Sequence, residues 1–99
     1  MQFTLKQLRV LQAIDEFGST TAAGQALALS QSAISSSVQQ LEENIGQPLF
    51  ERVGRRLVLN RFGQSLLPNI ASLLDQAAEL DQQFLSLIHI SEPTRRPII

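Results

Sequence analysis

Residues 20–46 read TTAAGQALALSQSAISSSVQQLEENIG, and the organisation of the whole chain can be worked out from that run. Ser19-Thr20-Thr21 supplies hydroxyls for the unpaired N–H groups of a helix start, which predicts a helix over Ala22–Ala28. Its alanines are small, so a neighbouring helix can approach closely. Leu29-Ser30 is a short break, with Ser30 as N-cap of the next helix, Gln31 to about Ile45. Gly46 ends that helix and Pro48 keeps it from resuming. Two helices joined by so short a break form a helix-turn-helix unit.

The second of these helices has two unlike faces. Ile34, Val38, Leu41 and Ile45 recur at steps of 4, 3 and 4 and make one apolar stripe. Across the axis lie Ser32, Ser35, Ser36, Gln39 and Glu43, a face that is polar yet almost uncharged over its first two turns. Solvation alone is the plain explanation for a polar face. An ordinary solvent face, however, carries Lys and Glu, which favour helix; serine is a weaker helix former and stands here at 32, 35, 36 and 37. Short hydroxyls suit close approach to another surface, and Gln and Ser are side chains that read base edges.

Working outward, Leu5, Leu8, Val10, Leu11, Ile14 and Phe17 predict an amphipathic helix, with Thr4 as N-cap and Gly18 as stop. On the other side, residues 46–60 read GQPLFERVGRRLVLN. Two short extended runs flank Val53-Gly54, which predicts a hairpin with Leu57 and Leu59 on one face and Arg56 and Val58 on the other. Arginines near the tip of a hairpin that follows a polar-faced helix make a winged helix-turn-helix arrangement. Asn60 then caps a long fourth helix. In it Leu66, Ile70, Leu73, Ala77, Leu80 and Phe84 alternate steps of 4 and 3, an a/d seam of nearly three heptads, with Pro68 inside it expected to bend the helix. A body of 60 residues is small for so long a stripe, so the seam predicts pairing with a second chain. The expected fold is mainly α: three helices and a short β-hairpin wing over residues 1–60, then a linker and dimerisation helix over 61–84.

These stretches resemble the LysR-type transcriptional regulators. Residues 20–46 fit the family's helix-turn-helix through the paired alanines, Leu27, the Leu29-Ser30-Gln31 turn and Leu41-Glu42. Residues 46–60 fit its wing through Pro48, Leu49, Phe50, Arg52 and the Gly54-Arg55-Arg56 tip, and GQSLLP at 63–68 is similar to the start of its linker helix. The resemblance covers residues 1 to about 84. It implies a protein that binds pseudo-palindromic promoter DNA as a homodimer, or as a tetramer, through the linker helix. It also implies a cytoplasmic, nucleoid-associated location and, in a full-length form only, a C-terminal domain that senses a small-molecule inducer. At matching positions it implies that Gln31, Ser32, Ser35, Ser36 and Gln39 face bases and nearby phosphates, while Arg52, Arg55 and Arg56 meet phosphate or the minor groove. Family members often have arginine where Ser36 stands, so this chain lacks that guanine-reading fork.

The resemblance stops before residues 85–99, which read LSLIHISEPTRRPII. LSLIHISEPTR is similar to a translated sequencing adapter. The expectation is that the native frame ends near Phe84 and that the rest is a foreign or disordered tail, in which His89, Arg95 and Arg96 have no role.

Composition narrows the remaining classes. The 99 residues include no cysteine and one histidine, which excludes disulfides, thiolate sites and paired-histidine metal sites within one chain. Asp15-Glu16 and Glu42-Glu43 are sequence neighbours on helices and diverge around the axis, and no Gly-rich phosphate loop is present. No enzyme, cofactor, metal or membrane partner is expected. The formal net charge is −1. Residues 1–60 are balanced with five cations and five anions, and the one dense basic spot there is Arg52–Arg56. Affinity for nucleic acid must therefore come from local placement of charge. The competing class is a helix-mediated pairing module with little DNA binding of its own.

Overall fold

Each of the first three helices starts at a side chain that accepts a hydrogen bond from the backbone. A computed structural model describes residues 2–95, with side chains through residue 88. Helix α1 spans Leu5–Phe17, and its start is a closed capping box: Thr4 Oγ1 accepts from Gln7 N at 3.1 Å and Gln7 Oε1 accepts from Thr4 N at 3.1 Å. Helix α2 spans Thr20–Leu27, two residues earlier than the sequence suggested, because Ser19 alone is the cap. Helix α3 spans Gln31–Ile45, capped by Ser30, whose Oγ accepts from Ala33 N. Gly18 and Gly46 close α1 and α3 in the left-handed conformation.

The helix-turn-helix break is tight. Leu29 N donates to Gly24 O at 2.8 Å, and Ala28 takes φ 58°, ψ 41° to turn the chain. Ala28 is the one non-glycine residue with positive φ among those described, and it is exposed.

Strands β1 (Phe50–Val53) and β2 (Arg56–Leu59) pair antiparallel, with Phe50 opposite Leu59 and Val53 opposite Arg56. The turn is therefore Gly54-Arg55, one residue later than the predicted Val53-Gly54. Gly54 has φ 65° and Arg55 does not have positive φ, the pattern of a II′ hairpin turn, whose twist matches that of the strands.

The core forms around α1, which touches α2, α3, β2 and the fourth helix. Leu8, Val10, Leu11, Ala13 and Ile14 meet Ala23, Ile34, Val38, Leu41, Leu49, Phe50 and Leu59. The predicted α3 stripe is buried at Ile34, Val38 and Leu41 and half-buried at Ile45. The two ends of the predicted α1 stripe, Leu5 and Phe17, instead stand exposed, beyond the stretch from Gln7 to Ile14 that the body covers.

Helix α4 spans Arg61–Arg95, continuous through Pro68. Gly63 sits where α4 crosses the hairpin base: a Cβ there would fall 2.5 Å from Leu49 O and 2.7 Å from a Leu59 methyl. The bare backbone is what lets the helix start there. The predicted seam divides into two parts. Ile70 is buried against the body together with Leu74, and Leu66 is half-buried, whereas Leu80 and Phe84 are 50% and 54% exposed. The helix also runs past Phe84 without a break, as far as Arg95. Residues 96–99 and the His89, Arg95 and Arg96 side chains lie outside the described part.

An L-residue in the left-handed region costs roughly 1–2 kcal/mol, part of which glycine returns as unfolded-state entropy. Ala28→Gly is expected to raise unfolding free energy by about 0.5–1 kcal/mol. Urea denaturation should show a higher midpoint at unchanged m-value.

Candidate nucleic-acid interface

The apolar stripe of α3 is committed to the core, and this forces the opposite face outward. Gln31, Ser32, Ser35, Ser36 and Gln39 are all exposed and together line one shallow open depression on the surface. The hydrogen bonds within it are few. Ser30 and Ser32 hydroxyls lie 3.3 Å apart, Gln31 Nε2 donates to Thr20 Oγ1 at 3.3 Å, and Gln39 Nε2 reaches Glu43 Oε1 at 3.5 Å. Glu43, toward the C-terminal end, is the only charged group in this set. The N-terminal half of the face is neutral and sits at the positive end of the helix dipole, so an anionic surface is met favourably there.

The three arginines that are close in sequence do not form one patch. In the antiparallel register Arg52 lies opposite Leu57 and Val53 opposite Arg56, so Arg52 shares the face of Phe50, Leu57 and Leu59 while Arg56 is on the other. Arg55 is in the turn itself. All three are exposed. Arg56 reaches back to α1: its Nη2 lies 2.8 Å from where a side chain on Gly18 would begin. The last turns of α1 carry Asp15 and Glu16 and no basic residue. The guanidinium of Arg56 thus meets the negative end of α1, a charge complement supplied from the wing.

Glu42, which had no predicted role, and Asn60, predicted only as a helix cap, hold the wing in place. Glu42 Oε2 accepts from Leu49 N at 2.6 Å and from Phe50 N at 3.2 Å. One carboxylate on α3 thereby satisfies two backbone donors at the entry of β1, both on buried residues. A signal was present in the sequence: Glu42 lies four residues after Val38, on the inward side of the helix, where an acid needs a partner. Asn60 caps α4 as predicted, accepting from Gly63 N at 2.8 Å, and its amide also donates to Pro48 O at 2.9 Å. That bond, with Asn60 N donating to Leu49 O, closes the base of the hairpin.

Comparison with known proteins gives the same frame. Residues 5–64 match the model of the bacterial regulatory helix-turn-helix protein, lysR family. The chain belongs to the LysR family. It is 49% identical over 84 residues to the uncharacterized HTH-type transcriptional regulator YeiE of Escherichia coli strain K12, covering 85% of this chain and 29% of that protein. It is 36% identical over 96 residues to the RuBisCO operon transcriptional regulator of Allochromatium vinosum, covering 97% of this chain and 32% of that one. The chain thus spans less than a third of the length of these LysR relatives. Among solved structures, the CbnR_DBD–DNA complex superposes with a TM-score of 0.77 at 28% identity, covering 87% of this chain and 99% of that one.

Removing the Glu42 carboxylate leaves two buried donors unpaired, each costing about 1–3 kcal/mol. Glu42→Ala is expected to lower unfolding free energy by roughly 2–4 kcal/mol, and Glu42→Gln, which keeps one neutral acceptor, by about half that. Urea melts of the two variants against the parent chain check the ranking.

Proposed function

We propose that this LysR-family chain is the DNA-binding part of a non-enzymatic transcription regulator, with α3 in the major groove of double-stranded promoter DNA. The observation that carries the proposal is the outward, nearly uncharged Gln31–Ser32–Ser35–Ser36–Gln39 face on a helix whose other side is locked in the core. Such a face can pair with base edges without a charge that would bind any phosphate equally well. The helix-turn-helix geometry and the likeness to a protein solved on DNA support the same docking. Arg52 and Arg55 contact phosphate or the minor groove, and Arg56 steadies the wing on α1 as well as adding positive charge near the backbone.

A single winged domain makes few phosphate contacts, so useful affinity calls for two. We assign pairing to α4, forming a homodimer through Leu73, Leu80 and Phe84, with Leu66, Ile70 and Ala77 along the same seam. Support comes from the exposure of Leu73, Leu80 and Phe84 on a helix whose Ile70 and Leu74 are covered, and from the apolar groove of ≈ 230 Å³ beside it, lined by Phe3, Phe62, Leu66, Ile70 and Leu73. In a full-length regulator a small-molecule inducer would act through a separate domain. No helix among the described residues is long and apolar enough to cross a membrane, and a nucleoid location follows from the DNA reading.

Two measurements test these assignments. Arg55→Ala should weaken binding to every duplex and reduce the slope of log K against log salt by about 0.9, whereas Gln31→Ala should change sequence preference at unchanged slope. Uniform weakening by Gln31→Ala would remove its base-reading role, and no salt-dependent binding by the parent chain would leave a pairing module. Separately, Leu80→Asp with Phe84→Asp should convert a dimer to a monomer in sedimentation equilibrium, with the helical circular dichroism retained. A dimer that survives both changes places the contact elsewhere.

A further inference from the structure

Thr20 has a hydroxyl that the capping of α2 does not use. Ser19 is the N-cap and its Oγ takes the Ala22 N–H. The Thr20 hydroxyl instead accepts from Gln31 Nε2 at 3.3 Å, a side-chain bond between residues eleven apart that joins the first turn of α2 to the first turn of α3. Gln31 is the first residue of the outward face, where a reading side chain would meet the groove.

We infer that Thr20 is a positioning residue that sets Gln31 to accept adenine and to refuse guanine. The inference rests on the DNA-reading role proposed above. The argument is one of hydrogen-bond inventory. A glutamine amide has two N–H donors and one carbonyl acceptor. Free to rotate, it can turn either a donor and an acceptor or both donors toward a base. The first arrangement fits adenine, which shows the N7 acceptor beside the N6–H donor; the second fits guanine, which shows N7 and O6 acceptors. With one N–H bound to Thr20, a single N–H and Oε1 remain for the groove. That pair matches adenine and sets Oε1 against O6 of guanine. The bond also fixes an otherwise loose side chain before the duplex arrives, which lowers the ordering cost of recognition. Thr20 is half-buried at the helix start, and its β-branched side chain has few χ1 rotamers, which limits where its hydroxyl can lie.

The test is selection of bound sites from random duplexes by the 99-residue chain and by its Thr20→Val, Thr20→Ser and Gln31→Ala variants. Titrations would follow on duplex pairs that differ only as adenine or guanine at the Gln31-dependent position. The parent is expected to favour adenine by roughly tenfold, the scale of one bidentate base contact. Gln31→Ala should erase that ratio, Thr20→Val should cut it severalfold by gaining guanine binding, and Thr20→Ser should keep it. Thermal midpoint and salt slope should be unchanged in the Thr20 variants, which separates positioning from a structural or phosphate role. A Thr20→Val chain that keeps the parent ratio, or that weakens all duplexes alike, overturns the inference while Gln31 reading stands. If Gln31→Ala alters no single position, or the parent binds no duplex, the DNA-reading assignment falls and the inference falls with it.

Discussion

The Glu42 carboxylate is the joint on which the arrangement of α3 and the wing depends. β1 begins five residues after α3 ends, across a segment containing Gly46 and Pro48 that could leave in several directions. Two backbone N–H groups converging on one Oε2 remove that freedom. The path continues through Asn60, which closes the hairpin base with its amide and starts α4 with its carbonyl oxygen. Gly63 then lets α4 lie on the Leu49 carbonyl. Reading face, wing and long helix are thus connected by a few polar contacts and one close backbone approach. Under the proposed docking of two reading helices on one duplex, a rigid relation between α3 and α4 matters more than the strength of any one contact.

Charge in this molecule is placed sparingly. A net charge of −1 gives no long-range attraction to a polyanion, so the proposed encounter with DNA rests on the exposed wing guanidiniums. Strand alternation distributes these guanidiniums over two faces and a tip, and one of them, Arg56, also meets the carbonyl end of α1. The N-terminal half of the α3 face is neutral, so the contacts proposed for it are short-ranged and dependent on geometry. In the proposed docking, that division between charged wing and neutral helix separates affinity from selectivity.

The long helix has two environments. Its first turns complete the core through Ile70 and Leu74, and its later turns carry Leu80 and Phe84 at the surface. One heptad seam therefore packs on the protomer first and lies open at the surface afterwards. The size of the body sets the boundary: α1, the helix on which α4 lies, is 13 residues long, against 35 for α4.

By itself the sequence determined the elements and the inward faces. Thr4, Ser19, Ser30 and Asn60 are short polar side chains next to apolar periodicities, and each caps a helix as its local chemistry requires. Spacings of three and four placed Ile34, Val38 and Leu41 inside, and hence Gln31, Ser32, Ser35 and Ser36 outside. Local pattern sets these because caps and helical periodicity act over a single turn. The tertiary structure alone decided which element each side chain would meet across the chain. Glu42 on the β1 donors, Thr20 on Gln31, Arg56 over Gly18 and the division of the α4 seam all depend on contacts between residues distant along the chain. Such contacts arise only when the α1 core brings those segments together, and no periodicity encodes them.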